Sequence, residues 1–455
     1  MFQAAAGSVV ITPVPPGFPS TWMGGYGWAP RFNNGTIARN LRAHCVVIWD
    51  DGTPNVLVRA DVVGMQRNLV QAIRTAVAAL GVAPADFLIA SSHTHSGPQM
   101  SDTRIDPFIL MGLTQADKDA INGTVAVIRD AIVQLVRDTL AMPRTDVTLH
   151  YSESQAVIGY NRIGRPTVPT DVPVLVLRRV DDSPLAILFG YACHPVARGL
   201  DNVFDSDYPG FAAELLEAVF GCPALFFQGC CGDIDPVDHL DDERVREHGR
   251  TVAVAVLNRI LDPASFTEVT GPVGSRLTEV QLPFSVVTAN ATVRSQLRAK
   301  YQARITALPA GDPARRHASV MVGLIDANAL PTSVPMSLQC WKLGGLTILG
   351  LAHEVLSSYP VKIKEAFTGD HLWVMGYVNE CEAYVPGDEV LWAGGAVHGG
   401  YEAGWTDDNT VSGPFTSSQI YAWPAPLKAS PVGSATPTST SAEGIILNAC
   451  RTLIA

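Results

Sequence analysis

Short runs of branched apolar residues alternate along this chain with longer segments of helical periodicity. Each run is too short to form a helix and has almost no polar side chain on either face, which is typical of a strand buried on both sides. The clearest runs are residues 45–49, 87–90, 174–177, 185–189, 224–227 and 346–349. Strands and helices in alternation predict an α/β fold with a mixed central β-sheet flanked by helices.

The helical segments carry apolar residues at intervals of three or four along one face. They cover residues 69–80, 125–140, 215–219, 252–260 and 293–305. Pro209 precedes the third of them and suits a first helical turn, because the N–H that proline lacks has no partner there. Without an internal repeat or a sharp change of composition, we expect one domain over residues 1–455. We expect residues 424–441, rich in Pro, Ser and Thr, to be flexible and to precede a helix at residues 443–454.

The composition excludes several classes of partner. Of the 455 residues, 32 are Lys or Arg and 43 are Asp or Glu, which gives a net charge of −11. Nucleic acids and anionic membranes require clustered positive charge, so neither is expected as a partner. The longest apolar stretch, residues 185–190, is too short to span a bilayer, and the N-terminus lacks a signal-peptide pattern. The eight cysteines include no CxxC pair, so we expect buried thiols in the cytoplasm rather than disulfides or a thiolate zinc site.

Two histidines one residue apart, His93 and His95, follow directly on the apolar run at residues 87–90. Histidine is the commonest metal ligand in proteins, and zinc sites combine it with carboxylates while leaving a position open for chemistry. The pair therefore favours a metal site over a packing role, provided that other parts of the chain supply further ligands.

Polar side chains follow other apolar runs at the same point. They are His194 after residues 185–191, Asp233 and Asp235 after residues 224–227, His353 and Glu354 after residues 346–351, and Tyr384 after residues 372–375. Binding sites in open α/β sheets form beyond the carboxyl ends of the strands. Because several predicted strands end in His, Asp, Glu or Tyr, we expect these side chains to share one crevice.

Each of these residues taken alone has a structural explanation. His194 precedes a proline and suits a turn, and the helix dipole favours a glutamate such as Glu354 in the first turn of a helix. Tyr384 suits a half-buried aromatic position. His353 and Glu354 do not form a zincin motif, because no second histidine follows at the required spacing. The combination therefore favours metal chemistry, and no Gly-x-Ser-x-Gly elbow, Rossmann or P-loop pattern offers a rival.

The motifs, taken in their order, resemble those of the catalytic domain of the neutral (alkaline, non-lysosomal) ceramidases and their bacterial relatives. The most specific pieces are Ser-His-Thr-His-Ser-Gly-Pro at residues 92–98 and Asp-Tyr-Pro-Gly at residues 207–210. The others are residues 10–13, 24–27, 60–64, 159–162, 192–195, 228–236, 353–355, 383–386 and 399–402. The resemblance covers nearly the whole chain and implies a ceramidase-like catalytic domain.

The resemblance also implies a site. It implies a single catalytic Zn²⁺ held by four side chains that are all acceptable zinc donors: His93, His194, Glu354 and Tyr384. It places His95, Arg162 and Tyr401 against the substrate amide. Arg162 and Tyr401 can donate hydrogen bonds to a developing oxyanion, and His95 can orient the attacking water or protonate the leaving amine.

The sequence departs from the ceramidase pattern in three places. Asp235 stands where ceramidases carry a serine, so it can act as a general base or bind a cationic or hydroxylated substrate. The spacing between Tyr384 and Tyr401 is longer, and no C-terminal immunoglobulin-like domain is expected. Together with these departures, the resemblance implies a bacterial relative of the ceramidases rather than an enzyme that acts on ceramide itself.

Residues and resemblance together predict a zinc-dependent hydrolase that cleaves the N-acyl (amide) bond of a small molecule through a metal-activated water. Two alternatives stay open. The same oxyanion chemistry serves an ester or a lactone, and a homologue without catalysis would bind a ligand and not turn it over.

Overall fold

The computed structural model describes residues 2–26, 31–100, 112–238, 240–393, 401–403 and 421–455. Its strands are β1 Phe2–Val10, β2 Trp22–Met23, β3 Arg31–Phe32, β4 Arg42–Asp50, β5 Thr53–Ala60, β6 Phe87–Ser91, β7 Thr145–Gln155, β8 Gly159–Asn161, β9 Asp171–Arg179, β10 Pro184–Tyr191, β11 Ala224–Gln228, β12 Ile234–Pro236, β13 Thr267–Val269, β14 Val273–Pro283, β15 Ser333–Leu343, β16 Leu346–Leu351, β17 Glu354–Val355, β18 His371–Met375 and β19 Tyr384–Val385. Its α-helices are α1 Arg67–Ala78, α2 Gln115–Ala141, α3 Asp207–Phe220, α4 Asp242–Ile260, α5 Ala291–Ala307, α6 Pro313–Asp326, α7 Ser358–Glu365, α8 Asp388–Ala393 and α9 Ala442–Ile454. Short 3-10 turns lie at Pro84–Asp86, Pro263–Ser265 and Tyr401–Ala403.

Two larger sheets dominate the described residues. The main sheet has the strand order β11-β10-β9-β7-β1-β4-β5-β6, with β13 paired to β7, and the second sheet has the order β14-β15-β16-β18. The pairs β5–β6, β10–β11 and β16–β18 are parallel, whereas the remaining neighbours in both sheets are antiparallel. Both sheets are therefore mixed, and the predicted fold class is confirmed.

Strands of the main sheet are buried on both faces, and β4 shows why its sequence is apolar throughout. Cys45, Val47 and Trp49 pack into the core under α1 and α2, while Val46 and Ile48 pack into the core between the two sheets. Successive side chains of a strand point to opposite faces, so a strand between two cores needs apolar residues at every position.

Helices cover the outer faces of both sheets. α1 and α2 pack on one half of the main sheet, and α3 and α4 pack on the other half, over β9, β10 and β11. α7 and α9 cover the outer face of the second sheet. The layers thus run helix, sheet, sheet, helix. Among the described helices, none has the length and apolar character needed to cross a lipid bilayer.

The helix predictions agree with α1 to α5 and with α9. Pro209 lies in the first turn of α3, as expected. Three helices, α6, α7 and α8, are not predicted from the sequence. α7 and α8 span only 8 and 6 residues, and the buried face of α6 consists of two alanines, His317 and Met321 rather than large apolar residues. The single domain and the flexibility of residues 424–441 stay predictions.

The topology brings distant strand ends together. β6 and β11 stand at opposite ends of the main sheet order, yet the coiling of the sheet places them near each other. Residues that follow β6, β10 and β11 can therefore meet at one place.

Candidate metal centre

The three side chains at the middle of the candidate centre each lie just beyond the end of a strand. His93 follows β6 and His194 follows β10, while Glu354 is the first residue of β17, just beyond β16. His93 has a φ of 67° and His353, next to Glu354, has a φ of 73°. Left-handed backbone at a residue other than glycine is uncommon and clusters at functional sites, because only a well-determined surrounding structure holds it.

The side chains of these three residues meet in the interior. Oε2 of Glu354 lies 3.3 Å from Nε2 of His93 and 3.2 Å from Nε2 of His194. His95 joins them, since its Nε2 is 3.1 Å from Nε2 of His93. Potential ligand atoms of the three histidines all lie within 4.8 Å of one another. The structure thus brings three of the four predicted ligands together, with His95 beside them.

Backbone carbonyl groups set the tautomers of two of these rings. Nδ1 of His93 donates to the carbonyl oxygen of Val63, and Nδ1 of His194 donates to that of Ile234 at 3.1 Å. In a neutral ring the lone pair is then on Nε2, which is the atom that faces Glu354. Two lone pairs and a carboxylate oxygen pointing at one another repel unless a cation or a proton lies among them. The donor set therefore fits a divalent cation, and imidazole with carboxylate suits zinc.

The electrostatic environment agrees with that fit. Burial lowers the pKa of His93, and burial together with His93 and His194 lowers the pKa of His95 well below its usual value. Burial alone would raise the pKa of Glu354, but the imidazoles of His93 and His194 hold it well below its usual range. Burial also opposes protonation of His194, yet the acidic groups beside it, Cys231 and Glu354, raise its pKa to about 10. The cluster therefore attracts positive charge, either a proton or a metal ion.

His95 is held from its outer side. The Cβ that any other residue would carry at Gly25 would lie 2.8 Å from the His95 ring, so only glycine permits this approach. Nη2 of Arg31 donates to the carbonyl oxygen of His95, and the Tyr26 ring packs edge-on against the imidazole at 4.9 Å. Nδ1 of His95 is buried and has no hydrogen-bond partner among the described residues. The ring thus has one nitrogen at the cluster and one free to carry or accept a proton.

Tyr384, the fourth predicted ligand, stands beside Glu354. β17 and β19 are parallel neighbours in which Glu354 pairs with Tyr384, so their side chains lie on the same side of the pair. The hydroxyl of Tyr384 accepts a hydrogen bond from Nη2 of Arg162 at 3.3 Å. The guanidinium thus places a positive charge beside the phenolic oxygen, which is the atom that a ligand role would use.

Arg162 and Asp235 form the rim of the centre. Nε of Arg162 donates to Glu402 at 2.6 Å and Nη1 donates to Asp235 at 2.9 Å, while Nη2 also donates to the carbonyl oxygen of Gly232 at 2.8 Å. Asp235 Oδ1 is 3.8 Å from Nδ1 of His194, so this carboxylate adjoins the cluster without being part of it. Tyr401 begins a 3-10 turn, and its side chain lies outside the described residues.

Three contributors escape the sequence analysis. Tyr377 packs its ring on His93 at 4.2 Å and donates weakly to Glu354, with a separation of 3.5 Å. Tyr421 donates to the other oxygen of Glu354, and Glu402 neutralises Arg162. The position of Tyr377 just after β18 was a usable signal, since the other site residues also follow strands. Tyr421 lies in an apolar, proline-rich context that carries no such signal.

Fold and centre together define a mixed α/β protein with a buried, histidine-rich centre at the strand ends. Solved structures share this fold, and two of them are ceramidases. A neutral ceramidase from Pseudomonas aeruginosa aligns with a TM-score of 0.67 and 18% identity, over 93% of this chain and 72% of that one. A ceramidase complexed with C2 aligns with a TM-score of 0.68 and 17% identity, over 96% of this chain and 78% of that one.

These comparisons confirm the predicted resemblance to the neutral ceramidases at the level of the fold. No protein-family model matches the sequence, and no curated protein gives a significant match. Identities this low establish the architecture, so the chemistry has to be argued from the side chains.

Proposed function

We propose that this protein is a zinc-dependent hydrolase that cleaves the amide bond of a small N-acyl compound. The observation that carries the proposal is the convergence of His93 and His194 on one oxygen of Glu354, with both Nδ1 atoms already engaged by backbone carbonyls. This arrangement occurs in a fold shared with ceramidases, whose name denotes action on an amide.

The residues that would hold the ion are His93, His194, Glu354 and Tyr384. The chemistry that zinc supplies when bound is polarisation of the acyl carbonyl and a lowered pKa for an attacking water. Arg162 supports the fourth ligand, because its hydrogen bond orients the Tyr384 hydroxyl oxygen, the atom that would bind the ion.

We assign the proton transfers to His95 and Asp235. Asp235 is a partly exposed carboxylate whose Oδ1 lies 3.8 Å from Nδ1 of His194, and it can accept a proton from the attacking water. His95 is neutral because its pKa is lowered, and once protonated it is a strong acid for the same reason. His95 can therefore take one proton from the attacking water and pass it to the nitrogen atom that leaves when the C–N bond breaks, while Asp235 accepts the other proton of that water.

We assign oxyanion stabilisation to Arg162 and Tyr401. The hydrogen bond from Arg162 to Tyr384, at 3.3 Å, is longer than those to Glu402, Asp235 and the carbonyl oxygen of Gly232, so it is more easily exchanged than they are for one to a developing oxyanion. Glu402 and Asp235 keep the guanidinium in place during that exchange.

The proposal is tested by hydrolysis of a panel of short and long N-acyl amides, each with its matched ester. The protein is assayed as purified, after removal of metal with a chelator, and after addition of zinc. We expect turnover of at least one amide, loss of turnover on chelation and recovery with zinc. Turnover that survives complete removal of metal would contradict the proposal. A protein that holds zinc and binds amides without cleaving any of them would instead be a non-catalytic homologue.

A further inference from the structure

We infer that Tyr421 is a positioning residue of the metal centre, which acts by holding the Glu354 carboxylate. The inference rests on the proposed metal site, but it requires nothing of the substrate. Tyr421 comes 67 residues after Glu354, beyond the strands and turns that supply the predicted ligands.

The two oxygens of Glu354 have separate surroundings. Oε2 faces the imidazoles of His93 and His194 at 3.3 and 3.2 Å. Oε1 accepts a hydrogen bond from the hydroxyl of Tyr421. A carboxylate held by one oxygen in this way cannot rotate freely, so the other oxygen stays directed at the imidazoles.

The hydrogen bond between Tyr421 and Glu354 is buried, so its loss would not be compensated by water. Glu354 is 2% exposed and Tyr421 is 8% exposed, so water does not readily replace the donor. A tyrosine hydroxyl is an effective donor to a carboxylate at neutral pH. Partners that orient metal-binding side chains in this way change metal affinity by about 10–100-fold when they are removed.

The segment that carries Tyr421 is itself fixed. Nε1 of Trp423 donates to the carbonyl oxygen of Glu382 at 2.7 Å, two residues before Tyr384. His317 of α6 bonds to the carbonyl oxygen of Trp423 at 2.9 Å, and Tyr301 of α5 donates to that of Pro424. The α5–α6 hairpin therefore fixes the segment in the position from which the Tyr421 hydroxyl contacts Glu354.

The test is Tyr421→Phe, which removes the hydroxyl and keeps the ring. Tyr359→Phe is the matched control, because Tyr359 is fully buried and donates to a backbone carbonyl, that of Pro386, at 3.2 Å. Zinc affinity is measured by competition with a chromophoric chelator, and thermal unfolding is measured on the metal-free proteins. The absorption spectrum of each cobalt-loaded protein reports the geometry around the ion.

We expect Tyr421→Phe to weaken zinc binding by about 10–100-fold and to shift the cobalt spectrum. We expect Tyr359→Phe to leave both unchanged, while the two metal-free variants unfold at similar temperatures. Zinc affinity within twofold of the wild type, or an equal loss in Tyr359→Phe, would overturn the inference. A wild-type protein that binds no zinc would overturn the proposed function instead, so the two failures are distinguishable.

Discussion

The inner part and the rim of the centre are built differently. The side chains of His93, His194 and Glu354 are 0–3% exposed, and each is held by a backbone carbonyl or a buried hydroxyl. At the rim, Asp235 is 26% exposed and Arg162 is 14% exposed, and they are held by an ion pair with each other. The inner part presents fixed, converging donors, whereas the rim presents charges that can exchange partners.

This difference separates two tasks. Buried donors oriented by neutral groups suit a cation that stays in place, because removing one partner leaves the others uncompensated. Partly exposed ion pairs are weaker and cheaper to rearrange, which suits contact with a substrate and with moving protons. Variants of the inner part should therefore affect the metal and the rate, whereas a variant of Asp235 at the rim should affect the rate alone.

The largest effect is expected for Glu354→Gln. Replacing the carboxylate removes the charge that attracts the ion, and metal chemistry supplies several kcal/mol to catalysis, so turnover should fall by about 10³-fold or more. The fold should persist, as judged by circular dichroism. Glu389→Gln is the control, since Glu389 pairs with Lys362 on the surface side of the second sheet. Full turnover in Glu354→Gln would show that the ligand assignment is wrong.

His95→Gln tests whether His95 is a metal ligand of the inner part or a group that transfers protons. If His95 moves protons, kcat should fall by about 10²–10⁴-fold while zinc content stays that of the wild type. Zinc content and rate are measured on the same samples. Loss of the metal would make His95 a ligand and would place it in the inner part.

Asp235→Asn tests the rim. The variant keeps the shape of the side chain and the bond from Arg162, but it cannot accept a proton, so we expect kcat/KM to fall by about 10²-fold. Zinc affinity should not change, and competition with a chelator checks this. A variant that loses zinc together with activity would contradict the separation of rim and inner part.

The smallest expected effect is in the pH dependence of zinc binding. The raised pKa of His194, about 10, means that the metal-free site keeps this proton at lower pH. Zinc binding must displace it, so affinity rises with pH. A phenol is also protonated at pH 8, so binding there should release about two protons from the wild type and about one from Tyr384→Phe. Calorimetry in buffers of different ionisation enthalpy measures the difference, and equal release from both proteins would exclude a Tyr384 phenolate.

The sequence predicts much of the fold because the apolar runs are unambiguous. β4, β6, β10 and β11 lie between two cores, so their residues are apolar on both faces and stand out from their surroundings. The strand order does not follow from these runs. That β6 and β11 approach each other depends on the coiling of a long sheet, which no local pattern reports.

Some residues of the site can be predicted from the sequence and others cannot. His93, His194 and Glu354 are recognisable because polar residues directly after buried strands need a reason to be there. Tyr421 is not recognisable, since it reaches the centre through contacts with α5 and α6 that are distant in sequence. The role of Glu402 also depends on tertiary structure, because only the fold shows that Arg162 lies beside it.

The most direct test of the central claim is the metal content of protein purified without chelators, measured for the wild type and for His194→Ala by elemental analysis. If side chains from three separate strand ends share one ion, the wild type should carry about one zinc per chain and the variant almost none. A wild type without any divalent metal, or a variant that retains the full amount, would contradict this account.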